Sequence, residues 1–243
     1  MNHRLAAIFS IVAICSTPAL AITAEEIVSK NLKARGGLQQ IKSLRGQRII
    51  GRISLGDREG PFRVEISKPG KIREEVELNF KVIVRTLSGG VGWTFNPLRE
   101  MIEPAPLDAD DIRNLTNSGD VEGPLVDYKM KGNVVKFQGT VNIEGRDAYK
   151  LTVMEKNGNV RNDYIDCETF LEVKWEGKLT EEGKQYSMES YFRDYRMVDG
   201  LAFAFLINSL TVETDFKQRI VVESVELNPQ TNPAIFGKPI IQQ

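Results

Sequence analysis

The feature that most constrains this chain is a period of two. Phe62, Val64 and Ile66 alternate with Arg63 and Glu65, and Ile72, Val76 and Leu78 alternate with Arg73, Glu75 and Glu77. Glycine, proline and asparagine break such runs about every ten residues, the pattern of antiparallel strands joined by short turns. The clearest hairpin signal is Asn157-Gly158, flanked by alternating segments at 148–155 and 160–166. Asn-Gly readily takes the positive φ that a two-residue turn needs. About ten or eleven strands are predicted with two helical interruptions, and no internal repeat points to a solenoid or propeller.

Parity gathers large side chains onto shared faces: Trp93 with Phe95, Tyr149 with Leu151 and Val153, and Leu171 with Val173 and Trp175. One antiparallel sheet cannot leave such a face in water. It curls on itself, packs on a second sheet, or is covered by a helix. Two segments read as helical. Thr23-x-x-Glu26 is a capping box, stapled by Ile22 and Ile27 and stopped by Gly36-Gly37, with one more short turn before Gly46. The second follows a stretch containing Pro97, Pro104 and Pro106. Asp108 caps it, and Asp110 and Asp111 occupy its first turn, where the helix dipole favours anions.

Residues 1–21 read as a cleaved signal peptide. Arg4 leads, an apolar run follows from Leu5 to Cys15, and Ala19-Leu20-Ala21 fits a cleavage site. The run is too short to span a bilayer, and Ile14 before Cys15 does not suit a lipid anchor. The expectation is an exported, soluble product, residues 22–243, forming one domain. Loss of residues 1–21 removes Arg4 and no acid, so the net charge moves from −1 to −2. That balance argues against a nucleic-acid partner and against charge-driven adhesion to anionic lipid. The same cleavage removes His3, the only histidine, and Cys15, which leaves Cys167 as the one thiol. Such a chain has no imidazole to serve as base or metal ligand and no internal disulfide.

Other candidates for chemistry have plainer readings. Asp108-Ala109-Asp110-Asp111 lacks the ligand spacing of a calcium loop. Gly89-Gly90-Val91-Gly92 has no Gly-Lys-Ser/Thr after it and reads as a hairpin turn. Cys167 lies between Asp166 and Glu168, which disfavours a thiolate. Glu74-Glu75-Glu77 and Glu181-Glu182 read as a solvated strand face and a turn; an acid/base pair hidden among the acids is the basis of a hydrolase reading. No catalytic residue, metal or cofactor is predicted.

Several short pieces, in order, resemble the outer-membrane lipoprotein-sorting family, the LolA-like proteins of the LolA/LolB/RseB superfamily. They are Lys68-Pro69-Gly70-Lys71-Ile72-Arg73, then Gly89-Gly90-Val91-Gly92-Trp93-Thr94-Phe95-Asn96-Pro97, then Asp166-Cys167-Glu168-Thr169-Phe170-Leu171. Asp194-Tyr195-Arg196-Met197-Val198-Asp199-Gly200 and the tail from Leu227 to Pro239 complete the series. Phe203-Ala204-Phe205 stands where the family usually has a proline after the late turn. The resemblance implies a mainly β (α+β) fold: a single open, strongly curved antiparallel barrel with an N-terminal helix and a helical lid.

The resemblance also implies a periplasmic, monomeric, non-enzymatic binder or carrier of lipid or lipoprotein acyl chains. Its partners would be lipoprotein-sorting components of the inner or outer membrane. A sensor or adaptor that binds a protein partner is the alternative. The cavity lining expected from parity is Val64, Ile66, Ile72, Val76, Leu78, Val82, Val84, Trp93, Phe95, Tyr149, Leu151, Val153, Leu171, Val173 and Trp175. The lid comprises residues 96–118, with Pro97, Pro104, Pro106, Asp108, Ile112 and Leu115, and Arg73 is the candidate latch. A buried methylene is worth about 0.8 kcal/mol, so a sixteen-carbon chain contributes on the order of 12 kcal/mol gross. A carrier that must release its cargo is therefore expected to have a loose cavity with few polar anchors.

Overall fold

A computed structural model describes residues 22–181 and 183–241. The signal-peptide reading, with Arg4, His3 and Cys15, lies outside them, as does Glu182. The chain opens with α1 (Ala24–Ala34) and α2 (Leu38–Ser43), followed by β1 (Gly46–Leu55), β2 (Arg58–Ser67), β3 (Lys71–Leu78), β4 (Lys81–Ser88) and β5 (Val91–Phe95). A 3-10 turn at Pro97–Arg99, the two-residue β6 (Ala105–Pro106) and α3 (Ala109–Ser118) come next. The second half holds β7 (Val134–Ile143), β8 (Arg146–Met154), β9 (Val160–Asp166), β10 (Glu172–Glu181), β11 (Lys184–Val198), β12 (Leu201–Thr211) and β13 (Phe216–Leu227).

All thirteen strands form one antiparallel sheet in the order β6-β5-β4-β3-β2-β1-β13-β12-β11-β10-β9-β8-β7. The count exceeds the ten or eleven expected; β6, at two residues, is too short to show a period. Pairing of β1 with β13 joins the two halves, with Gln47 opposite Leu227 and Leu55 opposite Gln218. The sheet curls strongly enough for Ile66, Ile72 and Leu87 of one half to share a buried cluster with Leu151, Val153 and Ile165 of the other. It does not close: β6 and β7 are its two ends, and α3 with residues 119–133 is the connection between them.

One end of the concave face is plugged. Thr23 accepts from Glu26 N and Glu26 reaches back to Thr23 N, the reciprocal cap that starts α1. The helix then turns Ile27, Val28 and Leu32 into the core, joined by Ile41 of α2, Leu44, and Val121, Leu125 and Val126 of the following connection. Burial of each such side chain contributes about 1.5–3 kcal/mol. Arg35 fixes the plug at both sides: its carbonyl accepts from Ala202 N (3.1 Å) and its Nη2 donates to the Glu122 carbonyl (2.9 Å).

The convex face of β2–β5 is covered as well, by the tail after β13. Phe236 is buried there, Arg73 Nη1 donates to the Ile235 carbonyl (2.9 Å), Thr86 Oγ1 donates to the Gly237 carbonyl (2.9 Å), and Lys238 Nζ sits 5.0 Å from the Trp93 ring centre. On β4 and β5 the convex face carries Val84, Trp93 and Phe95, whereas on β2 and β3 it carries Glu65 and Arg73.

Candidate functional site

Register fixes what each face offers. The tight turn at Asn79-Phe80 pairs Leu78 with Lys81, and therefore Val76 with Ile83 and Glu74 with Arg85. Pairing onward through β2, β1 and β13 puts Val64, Phe62, Ile53, Leu55 and Ile220 on the same concave side. Gly51 of β1 is part of this arrangement. A Cβ there would lie 2.7 Å from the Phe62 ring and 2.1 Å from the Val221 carbonyl, so only glycine lets the ring lie against the strand.

These residues floor a cleft of about 330 Å³ at the end of the sheet opposite the helical plug. That is the low end of the ~300–1,000 Å³ usual for ligand sites. Ile53, Leu55, Phe62, Val64, Val76, Ile83 and Ile220 supply its apolar surface, and Glu74, Arg85, Arg99, Asp111 and Glu181 its charged wall. A larger hollow of about 520 Å³ between α1 and residues 125–130 is a surface groove ringed by Glu25, Lys33, Asp127 and Lys129. It is not walled by the sheet.

α3 roofs the cleft. Asp108 caps it by accepting from Asp111 N (2.8 Å). Leu115 is 1% exposed, and Ile112 packs against the same core cluster. Leu107 leads into the helix by packing on Gly92, where a Cβ would come within 2.7 Å of its side chain. The helix is tied to the β10–β11 hairpin by Asn114 Nδ2 to the Thr180 carbonyl (2.9 Å) and by Gly183 N to Asp110 Oδ2 (3.0 Å). On the other side Asp111 Oδ1 lies 3.9 Å from Arg85 Nη1.

The charged wall centres on Arg85. Its Nε and Nη2 both donate to Glu74 Oε2, at 3.0 and 2.6 Å. Glu74 pushes the guanidinium pKa up against the effect of burial. Burial also pushes the Asp111 carboxyl up, and Arg85 opposes that shift. Both acids therefore lean on one cation. Among the described residues no group of histidine, cysteine, aspartate and glutamate side chains is placed to hold a metal.

Of the fifteen residues expected to line a cavity, Val64 and Val76 line this cleft. Ile66, Ile72, Leu151 and Val153 lie in the filled part of the concave face, with Tyr149 packed against them. Leu78 is buried on the same face near the β3–β4 turn. Trp175 shares that face by its pairing with Asp163, and its ring lies 5.2 Å from the Arg161 guanidinium. Leu171 and Val173 line a separate depression with Phe192.

Val82, Val84, Trp93 and Phe95 are on the convex face, one residue out of phase with Ile83 and Thr94. The convex face of these strands is greasy because the tail packs on it, which is what misleads parity there. Arg73 is convex too: it bonds Glu75 (2.7 Å) and the tail carbonyl of Ile235, whereas Arg85 is the arginine that faces α3. In the lid, Pro97 accepts from Lys81 Nζ (3.3 Å), Pro104 is buried, and Pro106 pairs with Trp93 in β6.

The residues that parity missed are Ile53, Leu55, Phe62, Ile83 and Ile220, with Glu74, Arg85, Arg99, Asp111 and Glu181. Glu74 is no solvated strand acid, and the cleft carries more polar anchors than a loose acyl cavity was expected to need. Cys167 remains a free thiol whose pKa burial pushes up.

No protein-family model matches the chain. No curated protein matches it either. Solved structures do. A DUF1329 family protein from Desulfovibrio piger superposes with a TM-score of 0.58 at 11% identity, over 89% of this chain and 98% of that one. A LolA superfamily protein from Nitrosomonas europaea gives 0.55 at 16% identity, over 90% and 99%. A domain named for outer-membrane lipoprotein sorting, from Vibrio parahaemolyticus, gives 0.54 at 10% identity, over 87% and 94%. At these identities the likeness is one of fold, and the fold of this chain is LolA-like.

Proposed function

We propose that the cleft receives an acyl chain of a lipid or lipoprotein, and that the protein is a periplasmic binder or carrier of such chains rather than an enzyme. The observation that carries this reading is the apolar cleft on the concave face away from the plug, where half-buried Val76, Ile83 and Ile220 border open space above a floor of buried Ile53 and Phe62. Apolar walls of this kind gain about 25 cal/mol for each Å² removed from water. The shared fold with a lipoprotein-sorting domain supports the choice of cargo. α3 is the natural gate, since its ties to β10 and the β10–β11 hairpin are a few hydrogen bonds while its apolar side is seated in the core.

The test is lipid extraction and native mass spectrometry of the chain purified without detergent, beside Ile83→Trp, which fills the cleft. The expected result is acyl lipid carried by, or accepted by, the unmodified chain and lost in the variant. A folded protein that neither carries nor takes up an acyl chain overturns the reading.

A second reading, docking of a protein partner, is favoured by one observation. Phe80 and Ile102 are 98% and 92% exposed, and Lys81 Nζ ties the turn bearing Phe80 to Pro97 beside the cleft. A stable complex in pull-downs, lost in Phe80→Ser, would support it.

A further inference from the structure

We propose that the depression beside the β7–β8 turn is a second ligand site, and that it takes small aromatic carboxylates. This goes beyond the acyl-binding reading and does not depend on it, since the depression and the cleft share no lining residue. The depression measures about 400 Å³, within the range usual for small-molecule sites. Its floor is Ile143, Leu171, Val173 and Phe192, all half-buried. Phe170, one residue before Leu171, shows the contrast: it packs on the main core and stacks on Tyr149, with ring centres 5.9 Å apart. Leu171 lines the hollow instead. Apolar side chains that border open space gain contacts and lose exposure when an apolar guest covers them. The Phe192 ring favours an aromatic one.

The walls are set in advance. Asp166 Oδ1 accepts from Glu168 N (3.0 Å), Thr169 N (2.7 Å) and Thr169 Oγ1 (2.9 Å), which fixes the loop that delivers Leu171. Tyr195 Oη donates to the Glu172 carbonyl (2.8 Å) and so holds a further wall residue in place. The β7–β8 turn is held too. Ile143 pairs with Arg146, so Glu144 and Gly145 are the two central residues, both at positive φ (+50° and +87°). Such positions favour Asn, Asp or Gly. Glu144 nevertheless stands there, and both its carboxylate oxygens accept from Arg193 Nη2 of β11, at 2.6 and 2.5 Å. A bulky residue kept in that backbone conformation by a distant partner marks a shaped site.

The rim decides the charge of the guest. Arg193 is engaged by Glu144, and Asp194 by Arg196 (2.6 Å). Arg146 is the available cation. Its side chain is 71% exposed, and the nearest oxygen of Asp166 is 4.0 Å away, beyond hydrogen-bond reach. Its guanidinium fork can hold a carboxylate through two parallel hydrogen bonds while the ring lies on the floor. An ammonium head group would meet Arg146 and Arg193 and be repelled.

Isothermal titration calorimetry of the full chain at neutral pH compares hydrocinnamate with hydrocinnamyl alcohol, which is close in size and lacks the charge. The acid is expected to bind about tenfold more tightly. Arg146→Gln should remove most of that advantage and leave the alcohol as it was. Leu171→Trp, which fills the floor, should abolish binding of both. Amide chemical-shift mapping on the unmodified chain needs no variant, and the acid should move the signals of Thr169, Leu171, Val173 and Phe192. Equal binding of acid and alcohol overturns the inference, as does an advantage that survives in Arg146→Gln or binding undiminished in Leu171→Trp. So does an acid that fails to bind, or whose shifts fall on Val76 and Ile83 of the concave cleft. Each of these outcomes leaves the acyl-binding reading standing, because no acyl chain is used.

Discussion

Arg85 and Glu74 lie directly opposite one another on β4 and β3, and the guanidinium holds a single carboxylate oxygen with two nitrogens, at 3.0 and 2.6 Å. Asp111 of α3 approaches the same group at 3.9 Å. The pair thus links the sheet to its roof. Arg85→Met should leave two acids facing each other, whereas Glu74→Gln keeps a hydrogen-bond acceptor beside the arginine. Because the Arg85 side chain is 41% exposed, solvent screens much of the loss. Urea unfolding at pH 7 should show about 1 kcal/mol of destabilisation for Arg85→Met and less for Glu74→Gln. The double variant should fall short of the sum, because the second substitution removes a charge that the first left stranded. Additive losses would mean that the two residues act independently.

The roof and the floor should respond differently to truncation. Leu115 is 1% exposed and packed in the core cluster, so Leu115→Ala should cost about 2–5 kcal/mol. Val76 is half-buried and borders open space, so Val76→Ala removes fewer contacts and should cost under about 1 kcal/mol. A measured loss for Leu115→Ala as small as that for Val76→Ala would show that α3 is not seated in solution.

The tail makes a separate prediction about the convex face. Phe236 is 2% exposed and holds the segment that covers Thr86 and brings Lys238 over Trp93. Phe236→Ala should cost about 3–5 kcal/mol and free the tail. Trp93 then becomes more solvated, and its emission should shift to longer wavelength in the folded protein before unfolding begins. An unchanged spectrum would separate the tail from the tryptophan.

The fold was largely legible because its signals are local. The Thr23–Glu26 box, the Asp108 cap and the Asn157-Gly158 hairpin each depend on residues within a few positions of one another; the two caps form as read, and the hairpin forms with a longer loop, residues 155–159, in which Gly158 takes the positive φ. The cleft was legible only in part. Val64 and Val76 follow from alternation, but parity alone does not say which face of β4 is concave. The decisive clue was the Asn79-Phe80 turn, whose register places Ile83 and Arg85 opposite Val76 and Glu74. It was obscured because Trp93 is apolar for another reason, the tail that brings Lys238 over its ring and covers Thr86. The place of Arg73 is hidden on the same account: its partner carbonyl, Ile235, lies 162 residues away. Contacts of that separation leave no periodic trace in the chain.

Glu65 sets a pH limit on the whole assembly. It sits on the convex face of β2, and its side chain is 2% exposed. Burial alone would raise its pKa, but hydrogen bonds from Arg48, Arg63 and Thr231 overcome that and bring it from 4.5 down to about 2. Arg48 Nε is 2.9 Å and Arg63 Nε 3.0 Å from Oε1, and Thr231 Oγ1 is 2.8 Å from Oε2. A carboxyl with a depressed folded pKa adds stability that is fully present above its unfolded value and is lost as pH falls through the folded one. The window is therefore pH 4.5 to 2, and the contribution is on the order of 3 kcal/mol. Glu65→Gln should be less stable at pH 7 by a similar amount, because two arginines lose their anion. Its stability should also fall less steeply than that of the unmodified chain below pH 4.5. Chemical denaturation at half-unit steps from pH 7 to pH 2.5 measures both. Parallel curves for the two proteins across that range would show that Glu65 does not carry the acid sensitivity.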